Sequence, residues 1–166
     1  MKLSLSYEWE CTPEEFWALY FDEDFVVRCH TEALGSTAAE VLSQEGDIAS
    51  GLVRTLRYTQ RPNMPGPVRK IFGEEITSTE VSTYDPVTSS ATMSLTPGTM
   101  ADKTHIDGTI SVVGDGAHST ETFALEARVK IFGVGPIVER FIEHEARGTQ
   151  AKSVAFMRTQ MGLAAR

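Results

Sequence analysis

Apolar and polar residues alternate with period two through most of this chain and take up a helical period near its two ends. Leu3, Leu5, Tyr7, Trp9 and Cys11 point one way while Ser4, Ser6, Glu8 and Glu10 point the other, the pattern of a half-buried strand. Thr12-Pro13-Glu14-Glu15 then supplies an N-cap, a proline at the first helical position and a capping-box glutamate. The helix opened there carries Phe16, Trp17, Leu19 and Tyr20. A second helix starts at Asp22 or Asp24, runs through Phe25, Val26 and Cys29 to Leu34, and stops at Gly35. Six strands are predicted next: Ala38 to Leu42, Ile48 to Arg61, Glu74 to Tyr84, Ser89 to Leu95, Thr104 to Val113 and Ser119 to Ile131. They are rich in Thr, Val and Ile, and turn signals at Gln44-Glu45-Gly46-Asp47, Asp85-Pro86 and Gly114-Asp115-Gly116 separate some of them. Such short links favour an antiparallel meander over crossovers. Arg61-Pro62-Asn63-Met64-Pro65-Gly66-Pro67 cannot continue a ladder, and a short helix from Val68 to Phe72 follows it.

The closing stretch, Ile137 to about Gly162, reads as one long helix. At ~100° per residue, Ile137, Val138, Phe141, Ile142, Ala155 and Phe156 fall on one arc, with Glu145, Gly148, Thr149 and Lys152 in its middle. A helix capping a solid core would carry Leu or Ile there. Polar and small residues in that place predict a helix lying over a cavity. Gly148 costs about 1 kcal/mol relative to Ala in mid-helix, which close packing or open space beneath it would explain. The opposite face carries Arg140, Glu143, Arg147, Gln150 and Arg158, with Val154, Met157 and Met161 adding apolar exposure late in the helix.

The element order, the Thr12-Pro13-Glu14-Glu15-Phe16-Trp17 start of the first helix and the long closing helix resemble the START-like (helix-grip, SRPBCC) superfamily. Within it, the look is nearest to bacterial START-like domains of unknown function. A fainter likeness to PRELI-type lipid-transfer domains lies in Arg57-Tyr58, Gly73-Glu74-Glu75 and Thr149-Gln150. The resemblance implies an α+β helix-grip fold spanning 1–166 as a single domain. A curved antiparallel sheet of about seven strands would have two short helices after its first strand, and the long C-terminal helix would cover its concave face. It also implies an apolar chamber between sheet and helix, in which a few polar groups orient a hydrophobic guest. The expected ligand-binding residues are Arg54, Leu56, Tyr58, Met64, Met93, Phe123, Leu125, Phe141, Glu145, Gly148, Thr149 and Lys152. Met64 would tip a proline-rich gate over the mouth. Arg54 shares an inward face with Leu52, Leu56 and Tyr58, so it needs a partner. Glu145 and Glu121 are the available carboxylates, and a structural ion pair and contact with a ligand headgroup both remain open.

Composition narrows the function. A formal charge of −8 and a pI near 5.0 argue against nucleic acid and against docking to anionic lipid by charge alone. No apolar run is long enough to span a bilayer, and the N-terminus alternates where a secretory signal would be continuously apolar. Cys11 and Cys29 are too few for a disulfide framework, which points to a reduced, cytoplasmic setting. His30, His105, His118 and His144 show no metal-ligand spacing, and no nucleophile elbow, phosphate loop or dinucleotide motif occurs. Cys29 and His30 do not form a nucleophile pair, because adjacent helix residues do not face each other. The expectation is therefore a binder without cofactor or metal, carrying or sensing a lipid or other small hydrophobic molecule. Alternatives are a polyketide cyclase- or dehydratase-like enzyme using Glu145, Arg54, Tyr58 and Lys152, and a protein-interaction module. The sequence leaves oligomeric state open.

Overall fold

The structure is a computed structural model describing residues 1–165. Its elements run β1 (Lys2–Trp9), α1 (Pro13–Tyr20), α2 (Glu23–Arg28), a π-helical turn (Cys29–Ala33), β2 (Ala38–Asp47), β3 (Gly51–Gln60), α3 (Gly66–Phe72), β4 (Ile76–Asp85), β5 (Ser90–Pro97), β6 (Thr104–Asp115), β7 (His118–Val129) and α4 (Gly135–Gln160). The strands form one antiparallel sheet in the order β1-β7-β6-β5-β4-β3-β2, a meander onto which β1 adds at the far edge. With α4 across the concave face, this is the START-like helix-grip architecture.

Local chemistry accounts for the element boundaries. Thr12 Oγ1 accepts from the Glu15 N–H while the Thr12 N–H donates to Glu15 Oε2, so both halves of the capping box form. Asp22 caps α2 through the Phe25 N–H. The β2–β3 hairpin departs from expectation. β2 continues to Asp47 with a bulge between Val41 and Ser43, and the turn falls at Ile48-Ala49-Ser50. Asp47 Oδ1 accepts from the Ala49 and Ser50 N–H groups and the Ser50 hydroxyl, making it the turn's organiser. Gly46 is required by close approach: at φ +85°, a Cβ would sit 2.1 Å from the Gly51 carbonyl oxygen.

The main core is aromatic and lies where β1, α1 and α2 meet the sheet. Trp9, Phe16 and Trp17 are each 1% exposed, with Phe16 edge-on to both tryptophans. A smaller apolar cluster of Met64, Val68, Phe72 and Val138 joins α3 to the start of α4. Met64 is thus a buried anchor of the proline-rich segment, not the adaptable tip of a gate.

Helix α4 is fastened at both ends. Near its start, Glu139 Oε1 accepts the Val129 N–H. Near its finish, Arg158 is buried and donates to Glu10 Oε2 (2.6 Å), to the Glu8 carbonyl (2.9 Å) and to the Ala164 carbonyl (2.6 Å). Arg158 was expected on the solvated face, and Glu10 opposite the buried side; the chain after α4 folds back and encloses the guanidinium. Met157 is buried and Val154 and Met161 half-buried, so the late apolar face covers the core and is not an exposed patch.

Candidate functional site: a chamber beneath the C-terminal helix

Between its two fastenings α4 passes over a cavity of about 260 Å³. The inward positions of α4 are Val138, Phe141, Ile142, Glu145, Ala146, Thr149, Gln150, Ser153, Val154 and Met157. This stripe is rotated from the expected one, because Ile137 and Ala155 are exposed. Gln150 moves to the inside, and Gly148 and Lys152 move out. Strands β3 to β7 supply the floor through Leu56, Met93, Leu95, Ile106, Ile110, Phe123 and Leu125, among others.

Of the expected ligand-binding residues, Arg54, Leu56, Tyr58, Met93, Phe123, Leu125, Phe141, Glu145 and Thr149 line this chamber. Met64 does not, being held in the α3 cluster. Gly148 and Lys152 sit on an outer depression with Leu34, Gly35, Gln60, Arg61, Pro62, Asn63, His144, Glu145, Arg147 and Thr149. Leu34, Gln60, Pro62, Glu145 and Thr149 border both spaces and mark the mouth. A Cβ on Gly148 would meet nothing within 4 Å, so strand packing does not account for this glycine, and the open space beside it belongs to the outer depression and not to the chamber.

Two polar groups on opposite flanks of the chamber lack a counter-charge. Glu121, on β7, is 2% exposed; it accepts from Trp9 Nε1 (3.0 Å) and Gln150 Nε2 (2.6 Å). Neither donor carries charge, and burial pushes the carboxyl up to about 7 although both hydrogen bonds pull it down. Arg54, on β3, is also 2% exposed. Its guanidinium donates from Nη1 to the Tyr20 carbonyl (2.7 Å) and lies over the Tyr20 and Phe21 rings, at 5.2 and 4.8 Å from their centroids. Its Nε–H has no acceptor, and among the described residues it makes no ion pair. The expected partners are otherwise placed: Glu121 is held by Trp9 and Gln150, and Glu145 makes no pair with Arg54. Glu80, inward-facing on β4, accepts from Ser82. Cation–π contact with the Tyr20 and Phe21 rings is worth about 2 kcal/mol when desolvated, whereas burying an ion costs several kcal/mol and the Nε–H stays without an acceptor. Arg54 is left under-compensated.

Around Arg54 one imidazole and two phenols are kept neutral. Burial first, and the nearby Arg54 charge second, lower His30 to about 4. Its Nδ1 lies 3.3 Å from Ser36 Oγ, and its ring centroid 4.3 Å from that of Tyr58. Burial, followed by Glu80, pushes the Tyr20 and Tyr58 phenols well above their usual range. The π turn is what brings His30 in. Its Leu34 N–H bonds the Cys29 carbonyl five residues back, and the widened turn lets Cys29 and His30 both line the chamber. Cys29 touches Ser153 Oγ at 3.8 Å, and burial raises its thiol, so it is no activated nucleophile. Sequence reading missed the roles of His30 and Gln150. Strand parity with Phe123 and Leu125 does place Glu121 inward.

A family model described as "Protein of unknown function (DUF2505)" matches residues 4–160. The chain belongs to that family. No curated protein matches the DUF2505 chain in sequence. Among solved structures it is similar to a START superfamily protein from Mycobacterium smegmatis (TM-score 0.61, 16% identity, covering 96% of this chain and 98% of that one). It is also similar to the Zhui aromatase/cyclase from Streptomyces sp. R1128 (0.66, 13%, 95% and 94%). A third similar structure is norcoclaurine synthase from Thalictrum flavum in complex with dopamine and hydroxybenzaldehyde (0.64, 18%, 100% and 89%). At these identities the likeness establishes the shared fold. No helix of the DUF2505 chain, among the described residues, is long and apolar enough to cross a membrane.

Proposed function

We propose that this DUF2505 protein binds one small, mostly apolar molecule in the chamber under α4. The observation that carries the reading is a cavity of about 260 Å³ with largely apolar walls and a mouth bordered by Leu34, Gln60, Pro62, Glu145 and Thr149. Its size sets the class of guest. A cavity of about 150 Å³ holds benzene, and drug-sized ligands occupy about 300–1,000 Å³. One or two rings, or a single short acyl chain, match the volume; a two-tailed lipid does not. The structural neighbours that carry enzyme names, an aromatase/cyclase and norcoclaurine synthase, are consistent with ring-sized guests on this fold.

Native mass spectrometry of the purified protein, with solvent extraction, tests the reading. A retained small molecule, or stoichiometric uptake of a fluorescent aromatic probe, is expected. Thr149→Trp, placed at the mouth, should block uptake while leaving the fold intact. No co-purified molecule and no probe uptake would contradict the proposal.

One observation favours a catalytic variant of the same reading. Glu121 is a buried carboxyl held near 7 on the chamber wall, where it can give or take a proton at neutral pH. Glu121→Gln would then abolish turnover of a bound substrate and leave its affinity intact. Unchanged turnover would remove Glu121 from any chemistry.

A further inference from the structure

We infer that the guest is a small monocarboxylic acid whose carboxylate is taken up by Arg54, with the apolar body lying along the sheet toward Phe123 and Leu125. This rests on the chamber being a binding site and adds the chemistry of one end of its occupant.

The argument starts from an unpaid charge. Arg54 is 2% exposed, borders the chamber, makes no ion pair among the described residues, and has an Nε–H without an acceptor. Nη1 is committed to the Tyr20 carbonyl, and the Tyr20 and Phe21 rings lie together on one side of the guanidinium, their centroids 5.0 Å apart. What remains is the edge formed by Nε and Nη2, the pair of parallel donors that matches the two oxygens of a carboxylate. The Nε itself is buried, so binding through this edge requires the guanidinium to turn toward the chamber.

The surroundings distinguish an anion from a neutral acceptor. Glu80, on the neighbouring strand, accepts from Ser82 and makes no ion pair with Arg54 among the described residues. His30 is held neutral and does not compete for the anion or repel the cation. The opposite wall offers Glu121 with only neutral donors, and further along the chamber Thr104 Oγ1 also lacks a partner. At the mouth, Arg61 and Arg147 pair with Glu75 and Glu143, whereas Lys152 makes no ion pair among the described residues, leaving one free cation beside the opening. The volume limits the body to one or two rings or a short chain.

Calorimetric titration with matched pairs of probes tests this: benzoate and benzamide, 2-naphthoate and 2-naphthamide, octanoate and octanamide. Within each pair shape is conserved and charge is not. For at least one pair the acid should bind ten-fold or more tightly than its amide. In Arg54→Met that preference should fall to about one, with the amide's affinity retained. Arg54→Lys, which keeps the charge and loses the planar fork, should retain only part of the preference. It serves as the second variant if Arg54→Met does not fold. Equal binding of acid and amide by the wild-type protein overturns the inference and leaves the chamber reading standing. Binding of no member of any pair overturns both.

Discussion

Arg54 and Arg158 are buried to nearly the same degree, at 2% and 3% exposure, and Arg54 lies against two aromatic rings and Arg158 against one. Arg158 meets the Glu10 carboxylate and two carbonyls, with donors from all three guanidinium nitrogens satisfied. Arg54 meets one carbonyl, and its Nε–H is unsatisfied. Depth alone therefore says little about a buried ion's role. Where the chain supplies the anion, the arginine fastens a helix end. Where the chain withholds it, the arginine faces a chamber. The same contrast runs along α4, which is pinned near Glu139 and Arg158 and polar over the space between them.

The largest effect expected from breaking this contrast is at the fastened end. Arg158→Met removes the ion pair to Glu10 and the donors to two backbone carbonyls, and should destabilise the fold by about 2–3 kcal/mol, read by urea unfolding. A loss under about 1 kcal/mol would show that the pair is ornamental.

The chamber should reveal itself through pH. Glu121 is raised from 4.5 to about 7 by folding, so the native state holds the extra proton and stability falls as pH rises through that window. His30 is lowered from 6.5 to about 4, so the unfolded state holds the extra proton and stability falls as pH drops through its window. Each contributes up to about 3 kcal/mol, at about 1.4 kcal/mol per pH unit. The two oppose one another between pH 4.5 and 6.5, where their net contribution is nearly level. Glu121→Gln should unmask acid lability in this range, and His30→Gln the reverse slope. Parallel slopes in both variants would contradict the assigned environments.

Smaller effects are expected at the mouth and at Arg54. Gly148→Ala should stabilise by about 1 kcal/mol, because the site is helical, exposed and open around the new methyl group. Arg54→Met should move stability by less than about 1 kcal/mol in either direction, since it removes a desolvated charge together with one bond. A loss as large as that of Arg158→Met would make Arg54 structural as well.

The sequence discloses the architecture far better than the chamber's chemistry. Period-two alternation in β1 and β7, the capping box before Phe16 and the long uninterrupted final helix suffice for a helix-grip fold, since each is a local signal. Strand parity places Arg54, Tyr58, Phe123 and Leu125 on the inner face for the same reason. The helix stripe was displaced because Ile137 and Ala155 were counted as inward; an apolar residue at a helix start or an alanine on its surface carries little positional information. That error hid Gln150 and put Gly148 and Lys152 inside. The π turn that admits His30, and the fold-back that buries Arg158 against Glu10, depend on contacts between distant segments. No spacing within one element encodes them. Met64 followed the same rule: a proline-rich loop reads as a lid until the cluster with Val68, Phe72 and Val138 fixes it in place.

The most direct measurement is the nuclear magnetic resonance signal of the arginine Nε–H groups during titration with 2-naphthoate. Arg54, whose Nε–H has no acceptor in the protein, should shift and sharpen as the carboxylate binds, while Arg158, already bonded to the Ala164 carbonyl, stays in place. An unmoved Arg54 signal at saturating ligand, or equal movement of both, would contradict the account.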